Sequence, residues 1–152
     1  MSLLSRFASR LKLRVIENGN GPYLLRHRLW GWMPSDDAKP WSGYLHRFVR
    51  PDDDRELHSH PWSWAVSLVL AGGYTEERLQ KDGSVIKVRR RPFTLNFLGP
   101  QSFHRVDELH GKETWTLFVC GPKTGSWGFL VPGRGVVPWR DFLREKGIKV
   151  DY

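Results

Sequence analysis

The sequence predicts an all-β fold, a single domain built as an antiparallel β-barrel with a short helix at each end. Three observations carry this. Between residues 22 and 132, short runs rich in Val, Leu, Phe, Tyr and Trp alternate with Gly, Pro and Asp, the punctuation of strands and turns. The runs commonly recur about every 8 to 12 residues, as in a sandwich or barrel. The two ends instead carry helical patterns. A chain of 152 residues can bury roughly 68–70% of the surface its unfolded form exposes, so it needs neither disulfide nor metal merely to fold. No internal repeat or linker divides residues 1–152.

Residues 1–14 place Leu3, Leu4, Phe7, Ala8 and Leu11 on one helical stripe, with Arg6, Arg10 and Arg14 beside it and no acid. That pattern predicts a basic amphipathic helix docked on the domain, and it also suits a membrane surface or a targeting segment. Strands are expected over residues 23–30, 43–49, 63–70, 74–80, 85–91, 94–98, 103–106, 113–120 and 126–131. Asp82-Gly83 supplies the positive φ angles of a tight hairpin turn, and Gly72-Gly73 marks another bend. Val66, Leu68 and Leu70, with Leu117 and Val119, are expected to fill the barrel, while Lys87 and Arg89 stay in water. Over 138–147 the pattern returns to helix: Trp139, Phe142 and Leu143 share a face, Asp141 sits in the first turn, and Gly147 stops it.

Composition narrows the function classes. The single Cys120 closes every disulfide framework and Cys-based zinc module and suits a reducing, cytoplasmic setting. The longest apolar run, Ala65–Ala71, is broken at Ser67 and is far short of a transmembrane span. With 24 Lys and Arg against 16 Asp and Glu, the net charge is +8, which favours an anionic partner. Lys87, Arg89 and Arg91 alternate on one strand and with Arg90 form a basic stripe. It would serve a nucleic-acid-binding module by tracking phosphates, or simply protect an edge strand.

Of the six histidines, three have a spacing that chemistry can use. His58 and His60 are two apart, so on an extended strand both imidazoles reach one cavity. His104 follows the turn signal at Gly99-Pro100 about one four-strand module later, where a barrel can bring it opposite the pair. Trp62 and Trp64 continue the parity of His58 and His60 and would wall the same cavity. On the preceding strand Tyr44, His46 and Phe48 share one parity and Arg47 and Arg50 flank them, so a proton donor or a carboxylate clamp is available there.

These residues resemble the cupin superfamily. The first cupin motif, G(X)5HXH(X)3-4E(X)6G, finds His58, His60 and Gly72 in register, with Asp52 at the opening glycine and Ala65 at the glutamate. In the second, G(X)5PXG(X)2H(X)3N, Gly99-Pro100 stands where Pro-x-Gly is expected, His104 matches the histidine and Glu108 replaces the asparagine. The resemblance covers roughly residues 43–121. It is also similar to uncharacterised bacterial and phage cupins with His-x-His-Pro-Trp, Gly-Gly-Tyr and Trp-Gly-Phe patterns, here His58 to Trp62, Gly72 to Tyr74 and Trp127 to Phe129.

The resemblance implies a cupin jelly roll with one divalent metal ion on His58, His60 and His104. Without the glutamate it is more similar to the all-histidine sites of cysteine-dioxygenase-type cupins, which carry non-haem iron. Three imidazoles leave coordination positions open. Fe(II) there would suit a dioxygenase acting on a small anionic chelating substrate, and Zn(II), lowering the pKa of bound water to about 7, would suit an isomerase, lyase or hydrolase. From their own strand positions, the candidate accessory residues are His46 and Tyr74 in catalysis and Arg47, Trp62 and Trp64 in substrate binding. A homodimer and a non-catalytic ligand- or nucleic-acid-binding cupin complete the alternatives.

Overall fold

A computed structural model describes residues 2–18, 20–31 and 41–148. Two short helices flank twelve strands: α1 Leu3–Ala8, β1 Lys12–Asn18, β2 Gly21–Trp30, β3 Ser42–Phe48, β4 Leu57–His58, β5 Ala65–Ala71, β6 Tyr74–Leu79, β7 Val85–Arg90, β8 Leu95–Leu98, β9 His104–Leu109, β10 Thr114–Cys120, β11 Gly128–Val131, β12 Gly135–Pro138 and α2 Trp139–Glu145. They form two six-stranded sheets, in the orders β1-β2-β3-β10-β5-β8 and β12-β11-β4-β9-β6-β7. Their strand pairs are antiparallel. The sheets stay separate, so the expected barrel is an open β-sandwich. β7 and β8, consecutive in the chain, end the two sheets on one side, which leaves β1 and β12 as the outermost strands on the other.

The N-terminal expectation is corrected. Only Leu3–Ala8 is helical, capped by the Ser2 hydroxyl, which accepts the Ser5 N–H at 3.2 Å. Lys12–Asn18 is a strand, because Val15 and Ile16 are β-branched and β2 offers an edge with which they pair. Leu4 and Ala8 dock beside Leu45 and Trp115, whereas Leu3 and Phe7, placed on the same stripe by sequence, face solvent. Met1 and residues 149–152, which the 1–14 helix and the 1–152 domain include, lie outside the described residues. The Asp82-Gly83 hairpin is present: Gly83 has φ +84°, and Asp82 Oδ1 accepts the Ser84 N–H at 2.9 Å. α2 packs Phe142 on Phe129 with ring centroids 4.0 Å apart and ends at Gly147, φ +72°. β12 was not foreseen; it is a short return of β11.

A second correction concerns which face of the first sheet points inward. Val66, Leu68, Leu117 and Val119 do share a face through their cross-strand register, but it is the outer one, and each is only partly buried. The inward positions on β5 and β10 are Ala65, Ser67, Val69, Thr114, Thr116, Phe118 and Cys120, all buried. Inside lie two apolar clusters, one of Tyr44, Trp62, Ala65, Leu98, Phe118 and Cys120 and one of Val69, Tyr74 and Val106. Lys87 and Arg89 are exposed, as expected.

Candidate metal centre

The three spaced histidines meet between the sheets. β4 and β9 pair with His58 directly opposite His104, so their side chains leave the second sheet on one face. The chain after His58 stays extended, and His60, two residues on, points the same way. One ring nitrogen from each of His58, His60 and His104 lies within 4.8 Å of the others, and His60 Nε2 is 2.9 Å from His104 Nε2. A single ion with bonds of about 2.1 Å could gather three such nitrogens after small ring movements.

Burial holds His58 and His60 neutral. It lowers the His58 pKa to about 3, helped by repulsion from His104, and takes His60 well below its usual range. Their lone pairs therefore face little proton competition at neutral pH. The tautomer of His104 follows from its partner. His104 Nδ1 is 3.0 Å from Glu76 Oε2. Burial opposes ionisation of Glu76, but hydrogen bonds and charge from His104 and Arg90 outweigh it and hold the pKa at about 2. The carboxylate can only accept, so Nδ1 donates and Nε2 presents its lone pair toward His58 and His60.

Glu76 is the residue that sequence reasoning missed. Its side chain is 0% exposed, and it accepts from Arg90 Nη2 at 2.5 Å and Asn96 Nδ2 at 2.8 Å. Alternation along Tyr74, Glu76 and Arg78 puts all three on one face of β6, but a glutamate inside a strand pattern gives no cue that the face is inward. Asp52 is another such group. Burial raises its pKa to about 6, and its Oδ2 accepts the Val106 N–H at 2.7 Å while lying 4.0 Å from His58 Nδ1.

The remaining expected site residues divide. Trp62 stacks on His60 with centroids 5.2 Å apart, and Phe118 packs beside both rings, 5.3 Å from Trp62 and 6.4 Å from His60. His46 is buried on the inner face of β3, stacked on Phe118 at 4.7 Å. Tyr74 is buried; Asn96 Nδ2, which also donates to Glu76, donates to its oxygen at 3.4 Å, and burial raises its pKa to about 12, so the phenol stays protonated. Cys120 is likewise an inert thiol, raised to about 11 by burial.

Trp64 and Arg47 are not brought to the cluster. Between Trp62 and Ala65 the chain leaves the second sheet for the first, and the inward parity shifts from Trp62 to Ala65. Trp64 therefore points outward, 43% exposed. Arg47 follows His46 on β3 and takes the opposite face, paired with Glu113 and lying over the Trp115 ring at 5.4 Å. The guanidinium that does reach the aromatic residues beside the cluster is that of Arg26 on β2. Its Nε donates to His46 Nε2 at 3.0 Å, and its guanidinium carbon lies 5.0 Å from the Tyr44 ring and 5.7 Å from that of Trp62.

No protein-family model matches the sequence, and no curated protein sequence matches it. Solved structures do match in fold. A cupin-2 domain from Rhodospirillum rubrum aligns with a TM-score of 0.60 over 90% of this chain and 82% of its own, at 9% identity. This chain has the cupin fold. The polyketide cyclase RemF from Streptomyces resistomycificus shares the fold at 16% identity, with a TM-score of 0.58 over 88% of this chain and 87% of its own. HppE with Fe(II) and substrate matches 74% of this cupin-fold chain at 11% identity and a TM-score of 0.57. This chain spans 57% of the length of that protein.

Proposed function

We propose that the chain is a metal-dependent cupin enzyme in which His58, His60 and His104 hold one divalent ion, Fe(II) in the first instance, for dioxygenase chemistry on a small anionic chelating substrate. The observation that carries the reading is the convergence of three imidazoles, one of them oriented from behind by a buried carboxylate. Fe(II) held this way would offer open positions for a chelating substrate and dioxygen. The chain's own residues would do the rest. Glu76 keeps the His104 proton on Nδ1, while Trp62 and Phe118 exclude water from one side. His46, neutral through burial and then repulsion from Arg26, lies within the same aromatic wall. HppE with Fe(II) bound shows the fold hosting that metal.

The nucleic-acid alternative is weaker. Lys87, in the basic stripe, is engaged by Asp107 at 2.7 Å and Glu77 at 3.8 Å. The test is anaerobic reconstitution with Fe(II), addition of small carboxylates and thiols, and admission of dioxygen. We expect a perturbed metal spectrum and oxygen uptake that disappears in His58→Ala, His60→Ala and His104→Ala. Zinc in the protein as isolated, with no uptake after iron loading, would overturn the dioxygenase reading.

A further inference from the structure

The outer face of the first sheet is apolar without a break at its β8 end. Leu68 lies directly opposite Leu95, and Val66 opposite both Val119 and Phe97. Directly opposed residues project to the same side of a sheet, so these side chains form one surface, and none of them carries a charge. Leu117, opposite Leu68 and Leu45, is its margin. Beyond that margin α1 shields the sheet, where Leu4 and Ala8 pack with Leu45, Trp115 and Leu70. On β8 no such cover exists: Leu95 is 50% and Phe97 63% exposed.

Two further features mark this end. Phe93, two residues before Leu95, is 81% exposed and has φ +67°. Its backbone is held there by the Phe93 N–H, which donates to the Val69 carbonyl at 2.8 Å, and by the Thr94 N–H, which donates to the Arg91 carbonyl at 3.1 Å. A bulky residue at positive φ is strained, and a ring left in water gains no packing to offset the strain. The second feature is the edge of β8. The Leu95 and Phe97 carbonyls accept from Arg90 Nη1 at 3.4 Å and Arg78 Nη2 at 2.6 Å. Arginines from the second sheet therefore occupy the edge on which an added strand would pair, and the face is what stays open to a partner.

We propose that this face is a two-fold interface with a second copy of the chain, the outer sides of the two first sheets packed against each other. Size supports it. Phe93, Leu95 and Phe97, with the partly exposed Val66, Leu68 and Val119, leave on the order of 500 Å² of apolar side chain in water, so two copies would bury about 1,000 Å², where specific interfaces begin. A patch of that size is often a functional one. Composition selects the occupant. The patch offers no charge for a charged partner to pair with, and an apolar sheet face is self-complementary in an isologous contact. A lipid bilayer suits it less, because the Arg78 and Arg90 side chains at the β8 edge would be drawn toward hydrocarbon.

Sedimentation equilibrium over a dilution series is the test. Wild type should form a reversible dimer of twice 17.7 kDa. Phe97→Lys places an unpaired charge from each copy in the contact and should raise the dissociation constant about tenfold or more, the size of a lost interface hot spot. Phe93→Gly removes an exposed ring and relieves the positive φ, so it tests the face even if the Phe97 variant fails to fold, and it should weaken the dimer several-fold. Val136→Lys, at a 56% exposed position on β12 in the other sheet, should dimerise as wild type does. A wild type that stays monomeric at every concentration, or equal affinity in the two face variants, would overturn the proposal. So would a monomer that co-sediments with phosphatidylcholine vesicles and loses this in Phe97→Lys, which would make a lipid surface the occupant. No arm involves the histidines, so failure here leaves the metal reading standing.

Discussion

The inner and outer faces of the first sheet are made by the same strands, yet they obey different rules. On β10 the outward residues Trp115, Leu117 and Val119 are all apolar, while the inward ones are Thr114, Thr116, Phe118 and Cys120. On β3 the inward residues include Tyr44 and His46, and on β2 Arg26 and Arg28. In an ordinary sandwich the more apolar face is the buried one. Here the inner face carries a polar site, and the outer one keeps much of the aliphatic surface. α1 covers part of that outer face, over Leu45 and Trp115. A face that hosts chemistry can be less apolar than the face behind it, and a hydrophobic alternation then points away from the site.

The largest effect should come from the buried charge. Glu76→Ala would leave Arg90 and Arg78 without their carboxylate and His104 without its orienting acceptor. We expect a stability loss of about 3–5 kcal/mol by urea denaturation, as for a broken buried ion pair. Metal affinity should fall about 10–100-fold. A variant of unchanged stability and affinity would show that Glu76 is a bystander.

Adjacent residues on β10 compare the two faces directly. Phe118→Ala removes a 5% exposed ring packed on His46 and Trp62 and should cost about 3–5 kcal/mol. Leu117→Ala on the outer face should cost about 1 kcal/mol, because that side chain is only partly withdrawn from water. Equal losses in thermal denaturation would erase the distinction.

Acid should weaken the metal-free fold through its inner face. The His58 pKa is near 3 in the folded protein against an ordinary 6.5, so its contribution is present above pH 6.5 and is lost as pH falls toward 3. Between pH 8 and pH 5 this amounts to about 2 kcal/mol. His46 and His60, also depressed by burial, act in the same sense. Asp52, raised to about 6, works oppositely and offsets part of it. Urea midpoints that rise on acidification would contradict this assignment of neutral imidazoles. The smallest effect belongs to Arg47→Met on the outer face: stability should change by about 1 kcal/mol or less by urea denaturation.

Much of this arrangement was legible in the residues themselves. The two-residue spacing of His58 and His60 survives because the segment is extended, and His104 arrives through one backbone register. The Asp82-Gly83 turn and the α2 stop at Gly147 were readable because glycine alone takes those φ angles easily. Less could be read where two sheets exchange a strand. Trp64 was assigned to the cavity by parity, and the crossing before β5 shifts it. Arg26 and Arg47 look alike in sequence, each beside a histidine in a strand; only the register decides that one faces the site and the other Glu113. Residues 12–14 are drawn into the helical pattern because Arg14 continues the spacing of Arg6 and Arg10, while the decisive partner, the edge of β2, is invisible without the fold.

The central claim, that three inward imidazoles make one metal centre, is tested most directly by elemental analysis of protein purified without added metal, wild type beside His104→Ala. The account predicts about one transition-metal ion per wild-type chain and close to none in a His104→Ala protein that still folds. Full metal content in that variant, or none in wild type even after incubation with Fe(II) or Zn(II), would contradict it.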